Sequence, residues 1–313
     1  MSTREAAARL GVSDRTVRRA IARGDLAAGR RGRVYLIDRQ DLARYTRRLA
    51  LPDTDSPRAR IVAFPSPAPV PALPKPGSRF VGREAELATL IALLADPAEQ
   101  MITLTGPGGI GKTRLALAAA AALSDRFPDG ARFVDLSYVV RPHLLVPAVA
   151  QQLGLRDQSA QDQRDRLTAY LRAKRLLLIL DNFEQILDAA PEVARLVADA
   201  PGVTVLVTSR APLRIGGEHE VPVPPMSLAE ARVDREALLA SDAGRLFVDR
   251  AQGQDPGFAV DDETAPFIAD ICARLDGLPL AIELAAARCK VLPPPHLRDR
   301  LERRLPLLTQ GPR

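Results

Sequence analysis

A membrane-length apolar run and any cluster of cysteine or histidine are missing from this chain of 313 residues, and no secretory leader is expected. Its longest apolar run, residues 115–123, is mostly alanine. That is far short of the roughly 18 residues that would suggest a membrane span. Near the amino terminus Arg4, Glu5 and Arg9 stand where a secretory signal would need an apolar stretch, which argues against such a signal. Two cysteines, Cys272 and Cys289, are too few for a disulfide framework and lie in no metal-ligand spacing. They are expected to be reduced, partly buried thiols of a cytoplasmic protein. His143, His219 and His296 are too far apart in sequence to suggest a ligand set, so they read as structural or surface residues.

What is present is a globular composition with an uneven charge. Hydrophobic residues make up 46% and charged residues 26%, and the length leaves room for two or three domains. The net charge is +6, but residues 1–50 hold 13 Arg against 5 Asp or Glu, a local +8, which leaves about −2 for the remainder. A small module that basic has nucleic acid as its natural partner. Eight prolines between Leu51 and Pro76 then mark a semi-rigid linker.

Beyond it, short apolar runs at Met101–Thr105, Arg132–Leu136, Leu176–Leu180 and Val203–Thr208 suit buried parallel strands. Helical stretches fall between them at Thr113–Leu123, Val146–Leu153 and about 161–173, with Ser159 and Asp162 as a capping-box-like start for the last. The alternation predicts an α/β domain with a parallel sheet. After about Pro225 only helices are expected, at Ser241–Ala251, Asp261–Leu275 and Leu280–Arg288. The expected divisions are a DNA-binding module over 1–50, a linker over 51–77, a nucleotide-binding domain over 78–223 and a helical domain over 224–313.

The strongest motif is Gly106-Pro107-Gly108-Gly109-Ile110-Gly111-Lys112-Thr113, directly after a strand and before a helix. Glycines let consecutive N–H groups turn inward as an anion nest, and the helix adds its positive end. In such a loop Lys112 reaches the β- and γ-phosphates and the Thr113 hydroxyl ligates Mg²⁺. Asp181 closes an apolar strand at its carboxyl edge, where ligands of open α/β sheets bind, and reads as a second Mg²⁺ holder. Asn182 follows and cannot act as a base, which leaves Glu184 as the nearest carboxylate to orient water. Arg210, at the end of another strand, reads either as a fixed positive charge toward a γ-phosphate or as an ordinary surface arginine. Binding with slow hydrolysis is therefore the expectation.

In the basic module Ser2 and Glu5 form a capping box for a first helix, and Ser13 caps a second that runs to Arg23. Helical spacing puts Val17, Ala20 and Ile21 on one side and Arg15, Arg19 and Arg23 opposite. Thr16 and Arg18 complete the candidate DNA-contacting set on this helix. Gly29 to Ile37 reads as a hairpin wing carrying Arg30, Arg31 and Arg33, and Asp38 caps a last helix.

On these residues two resemblances stand out. Residues 2–48 resemble the winged helix-turn-helix of the excisionase and MerR-like group, through Thr3-Arg4-Glu5-Ala6-Ala7, Leu10-Gly11-Val12-Ser13, Thr16-Val17 and Gly24-Asp25-Leu26. Residues 80–313 resemble STAND switches, nearest the NB-ARC-type ATPases related to AfsR and the large LuxR-type activators. The ordered motifs are Phe80-Val81-Gly82-Arg83-Glu84, residues 106–114, residues 178–184, Val207-Thr208-Ser209-Arg210 and Gly277-Leu278-Pro279-Leu280-Ala281. The resemblance implies ATP/ADP with Mg²⁺ as ligands, Val81 and Arg83 beside adenine and ribose, and Arg114 in the phosphate-loop set. It also implies Arg210 as γ-phosphate sensor, Pro279 packed on the base, and a sensor strand lying between the strands of Lys112 and Asp181. A homo-oligomer in the ATP state follows from it, as do a winged-helix and a repeat domain beyond Arg313. The chain is then either a piece of a longer protein or a short regulator that assembles differently. Three functions remain open: a nucleotide switch coupled to DNA, an ATPase that the basic module merely localises, and an architectural DNA-binding protein.

Overall fold

The structure, a computed structural model, describes residues 1–10, 12–13, 16–17, 20–21, 26–31, 34–38, 40–42, 73–155, 160–229 and 233–309. The first element, α1 (Thr3–Leu10), begins in the expected capping box. The Ser2 amide donates to Glu5 Oε2 at 2.9 Å, and the Glu5 amide donates to Ser2 Oγ at 3.3 Å. Ala6, Ala7, Val17, Ala20, Leu26, Ile37 and Leu42 form a small core under it. β1 (Gly29–Arg31) and β2 (Val34–Leu36) pair antiparallel as the predicted wing. The Ile37 amide donates to the Met1 carbonyl at 2.9 Å, so the start of the chain closes against the wing. The Gln40 amide donates to Asp38 Oδ1 at 2.7 Å, the expected cap of the next helical turn.

The larger body begins with α2 (Glu84–Ala95) and is organised on a five-stranded parallel sheet. Its strands are β3 (Met101–Thr105), β4 (Ala131–Asp135), β5 (Leu176–Asp181), β6 (Val203–Ser209) and β7 (His219–Pro222), in the order β4-β5-β6-β3-β7. β6 therefore lies between the strands that lead to Lys112 and Asp181, the order the resemblance implied. β3 and β5 are buried at every position, as a sheet covered on both faces requires. Because successive side chains alternate, β5 sends Leu176, Leu178 and Leu180 to one core and Leu177 and Ile179 to the other. The first face packs on α4 (Leu145–Gln152), α5 (Ala160–Arg172) and α6 (Ala190–Asp199), and the second on α2 and α3 (Lys112–Ala122). Three elements escaped the sequence reading here: α2, α6 and β7. β7 alternates between half-buried and exposed positions and ends in proline, so it lacks the continuous apolar signal of its neighbours.

After β7 the described elements are helical: α7 (Arg235–Ala240), α8 (Asp242–Gln254), α9 (Ala265–Arg274), α10 (Pro279–Ala286) and α11 (Pro294–Thr309). Asp234 and Ser241 cap α7 and α8 by accepting from the amides of Ala237 and Gly244. Leu238, Phe247, Ile268, Ile271, Ile282 and Ala286 fill a separate core. Both thiols stay free. Burial pushes Cys272 up to about 12 and Cys289 up to about 11, so neither is a reactive thiolate at neutral pH. Among the described residues no helix is long and apolar enough to cross a membrane, and no cluster of three or more His, Cys, Asp or Glu could hold a metal ion.

Candidate nucleotide-binding site

The glycine-rich loop leaves β3 at the carboxyl edge of the sheet and enters α3 at Lys112. Gly106, Gly109 and Gly111 have φ of 143°, 79° and 96°, the region that side chains rarely adopt. Space is as tight as conformation: a Cβ on Gly109 would stand 3.0 Å from Leu280 Cβ, and one on Gly106 would stand 3.1 Å from the Val223 carbonyl. The loop is thus held on one side by the segment after β7 and on the other by α10. Lys112 is buried, with Nζ donating to the carbonyls of Gly106 at 2.7 Å and Pro107 at 3.0 Å. Its ammonium bridges the loop across the mouth of the nest. Burial pulls its pKa below the usual lysine value, Glu184 and Asp181 pull it back up, and Arg210 lowers it further.

Asp181 sits at the end of β5 and is 4% exposed. Its Oδ1 accepts from the Thr113 hydroxyl at 2.6 Å and from the Thr208 hydroxyl at 2.6 Å, and its Oδ2 accepts from Asn182 Nδ2 at 3.0 Å. Burial raises its pKa despite the two hydroxyls. Thr113 and Asp181 bring together a hydroxyl and a carboxylate, the donor types that would hold Mg²⁺ beside a nucleotide's phosphates. A dedicated cluster of carboxylates is not needed for it. Thr208 had no role in the sequence reading beyond its place in a motif. The structure makes it the second hydroxyl that fixes Asp181, and its Oγ1 also accepts from the Asn182 amide at 3.1 Å. Asn182 itself has φ 62° and ψ 43°, a left-handed conformation that Asn tolerates better than most residues. Its Nδ2 also reaches Asp135 Oδ1 at 3.4 Å.

Glu184 and Arg210 are brought together. Arg210 Nε donates to Glu184 Oε1 at 3.1 Å, across the ends of β5 and β6. The arginine is 66% exposed and the glutamate 17%. A Cβ on Gly108 would lie 3.8 Å from the Arg210 guanidinium, which places that group beside the loop.

Beside the loop a narrow cleft is lined by Phe80, Val81, Gly111, Met226, Leu246 and Pro279. Pro279, the first residue of α10, stands against Gly111, and the Leu280 amide donates to the Gly109 carbonyl at 3.2 Å. Arg83 borders the same cleft but is 2% exposed, and its Nη2 donates to the carbonyls of Ile110 at 2.9 Å and Pro224 at 2.7 Å. Beside the place in the cleft that the resemblance implied for it, Arg83 thus has a structural task. It clamps the phosphate loop to the chain leaving β7. Arg114 donates to the Ser78 hydroxyl and to the carbonyls of Ser78 and Arg79, and pairs with Glu283 at 3.6 Å. It too joins segments as well as lining the cleft.

Of the candidate DNA contacts, Arg15, Arg18, Arg19, Arg23 and Arg33 lie outside the described residues. Arg30 and Arg31 lie on β1. Thr16 has its hydroxyl 2.8 Å from Ser13 Oγ, within the local cap.

With this geometry in place, the similarities to known proteins fit it. Residues 79–282 match the family described as AAA ATPase domain, and residues 1–50 match a helix-turn-helix domain. Rv0890c of Mycobacterium tuberculosis, named as an HTH-type transcriptional regulator, is 40% identical over 223 residues, which are 71% of this chain and 24% of that protein. The regulatory protein AfsR of Streptomyces griseus is 31% identical over 228 residues, 69% of this chain and 21% of AfsR. The chain thus spans about a quarter of the length of these regulators. Among solved structures, one of Drosophila ORC bound to DNA shares the fold with a TM-score of 0.53 at 14% identity, over 84% of this chain and 74% of that one. A STAND protein with a tetratricopeptide repeat sensor from Pyrococcus horikoshii aligns with a TM-score of 0.41 at 18% identity, over 69% of this chain and 31% of that one. This chain belongs to the AAA ATPase domain family and carries a helix-turn-helix domain at its amino terminus.

Proposed function

We propose that the chain is an ATP/ADP-binding switch of the NB-ARC type that controls DNA binding, a cytoplasmic transcriptional regulator with slow hydrolysis. Residues 1–50 bind DNA, 51–77 link, 78–223 hold the nucleotide and 224–313 report its state. The observation that carries the reading is the Arg210–Glu184 bond beside the phosphate loop. The arginine suited to read a γ-phosphate and the carboxylate nearest to orient water are spent on each other. Asn182, after Asp181, supplies no base to replace that carboxylate.

Bound Mg²⁺ would neutralise charge on the β- and γ-phosphate oxygens, held from the protein side by Thr113 and Asp181. Lys112 would exchange its two loop carbonyls for phosphate oxygens. A γ-phosphate would compete with Glu184 for Arg210 beside Gly108, whereas a diphosphate would leave the pair intact. Pro279 and Leu280 already touch Gly111 and Gly109, so a change in the loop passes directly to α10. The switch can respond only by as much as the two nucleotides differ in affinity for its two arrangements.

The test is the mass of the purified protein in solution with ADP and with a non-hydrolysable ATP analogue, with turnover measured in parallel. Assembly with the analogue alone and negligible turnover support the switch. A monomer with both nucleotides overturns it, and steady turnover lost in Asp181→Ala favours an ATPase that the basic module only localises.

A further inference from the structure

A second cleft, separate from the phosphate loop, lies between residues 79–84, α7, α8 and the segment 258–260. Its volume is about 560 Å³, within the roughly 300–1,000 Å³ of small-molecule sites. One wall is apolar, made of Phe80, Leu239, Val248, Phe258 and Val260. Gly82 sets the floor: at φ 72° its missing side chain lets the segment lie against Asp242, where a Cβ would come within 2.8 Å of the carboxylate.

The charged groups of the lining divide unequally. Arg79 is ion-paired with Asp249. Arg245 donates to both oxygens of Glu84, at 2.9 Å and 2.7 Å, and to Asp242 at 2.6 Å. Arg245 is neutralised in place, whereas Arg79 shares Asp249 with Arg250. Arg235, the first residue of α7, also lines the cleft, and among the described residues its guanidinium has no carboxylate partner. Only its backbone amide is engaged, donating to Asp262 at 3.0 Å. Among the described residues Arg235 is thus a lining cation with no carboxylate on its guanidinium. An apolar wall with such a cation at its rim suits a molecule with an apolar body and one negative group.

We propose that this cleft binds an amphipathic organic carboxylate, its apolar body on Phe80, Leu239, Val248, Phe258 and Val260 and its carboxylate on Arg235. The site is distinct from the nucleotide site and shares only the 80–81 segment with it. Its occupant touches both that segment and the helices α7 and α8, so it is placed to act as the chemical signal of the protein.

The full chain is titrated with anilinonaphthalene sulfonate, an aromatic anion whose fluorescence rises in apolar sites, and then with decanoate and naphthoate as competitors. Circular dichroism and thermal unfolding confirm that each variant is folded, so the test stands apart from nucleotide binding. The dye is expected to bind saturably and to be displaced by at least one acid. Decanoate as the better competitor identifies an aliphatic acid, and naphthoate an aromatic one. Ala259→Trp, at an exposed position on the cleft lining, should block the dye. Arg235→Gln should weaken the acids by about tenfold while leaving decanol unchanged, as loss of one charge-assisted hydrogen bond predicts. The exposed Leu284 on α10 provides the control, and Leu284→Ser should keep the signal. Dye binding that survives Ala259→Trp, that is lost in Leu284→Ser, that neither acid displaces, or in which acid and alcohol bind alike overturns the proposal.

Discussion

Replacing Asp181 by asparagine separates what the site does for stability from what it does for ligand. The carboxylate is 4% exposed and its pKa is raised, chiefly by burial. A raised folded-state pKa means that the charged form is penalised on folding by about 1.4 kcal/mol for each unit of elevation. Asn keeps an Oδ1 acceptor for Thr113 and Thr208, so those two bonds at 2.6 Å survive. What is lost is the acceptor for Asn182 Nδ2, worth about 1 kcal/mol, and a flip of the Asn182 amide restores a partner. The ligand-free variant is therefore expected to be as stable as the wild type or more stable at pH 7. The sign of the pH dependence follows. Asp181 takes up its proton in the folded state at a higher pH than in the unfolded chain, so acidification relieves the wild-type penalty. The advantage of the variant is largest at neutral pH and closes as pH falls through the raised Asp181 pKa. Stabilisation by nucleotide behaves oppositely. A ligand at about a hundred times its Kd stabilises by about 2.7 kcal/mol, and without the Mg²⁺-holding carboxylate most of the Mg²⁺-dependent part should vanish. Urea unfolding of both proteins from pH 4 to pH 8, with and without Mg²⁺ and ADP, measures each quantity. A variant clearly less stable than wild type at pH 7, or equally stabilised by Mg²⁺–ADP, refutes the reasoning.

Arg210→Ala removes a side chain that is 66% exposed, so stability should change by no more than about 0.5 kcal/mol. The ratio of ATP to ADP affinity should move toward one, as read by competition with a fluorescent nucleotide. Gly277→Ala should destabilise the helical region strongly. Its φ is 61° and a Cβ would stand 2.7 Å from the Met226 carbonyl, so about 1–2 kcal/mol of left-handed strain adds to a backbone clash. Thermal unfolding checks it, and an unchanged midpoint would show that the turn relaxes freely. DNA affinity should fall with salt, the logarithmic slope giving about 0.9 per phosphate contacted, and should vanish when residues 1–50 are deleted. Affinity that survives the deletion would place DNA binding elsewhere.

The sequence alone determined whatever rests on local chemistry or on period. The phosphate loop was legible because its positive-φ positions favour glycine, and residues 101–105, 176–180 and 203–208 because a sheet covered on both faces favours predominantly apolar side chains. The capping box at Ser2 and Glu5 and the wing hairpin of the basic module were legible for similarly local reasons. Tertiary structure decided what each polar side chain near the loop spends itself on, because that depends on residues distant in sequence. Arg83 meets carbonyls 27 and 141 residues away, which makes it a clamp on the phosphate loop, a task no local motif could show. Thr208 reaches Asp181 across 27 residues, and Arg210 reaches Glu184 across 26, joining two groups that had been given separate roles. β7 was invisible because a short edge strand needs little apolar surface of its own and takes its pairing from β3. The second cleft belongs wholly to tertiary structure: Gly82 and Arg235 lie more than 150 residues apart, and only the packing of α7 and α8 against the segment before α2 makes them neighbours.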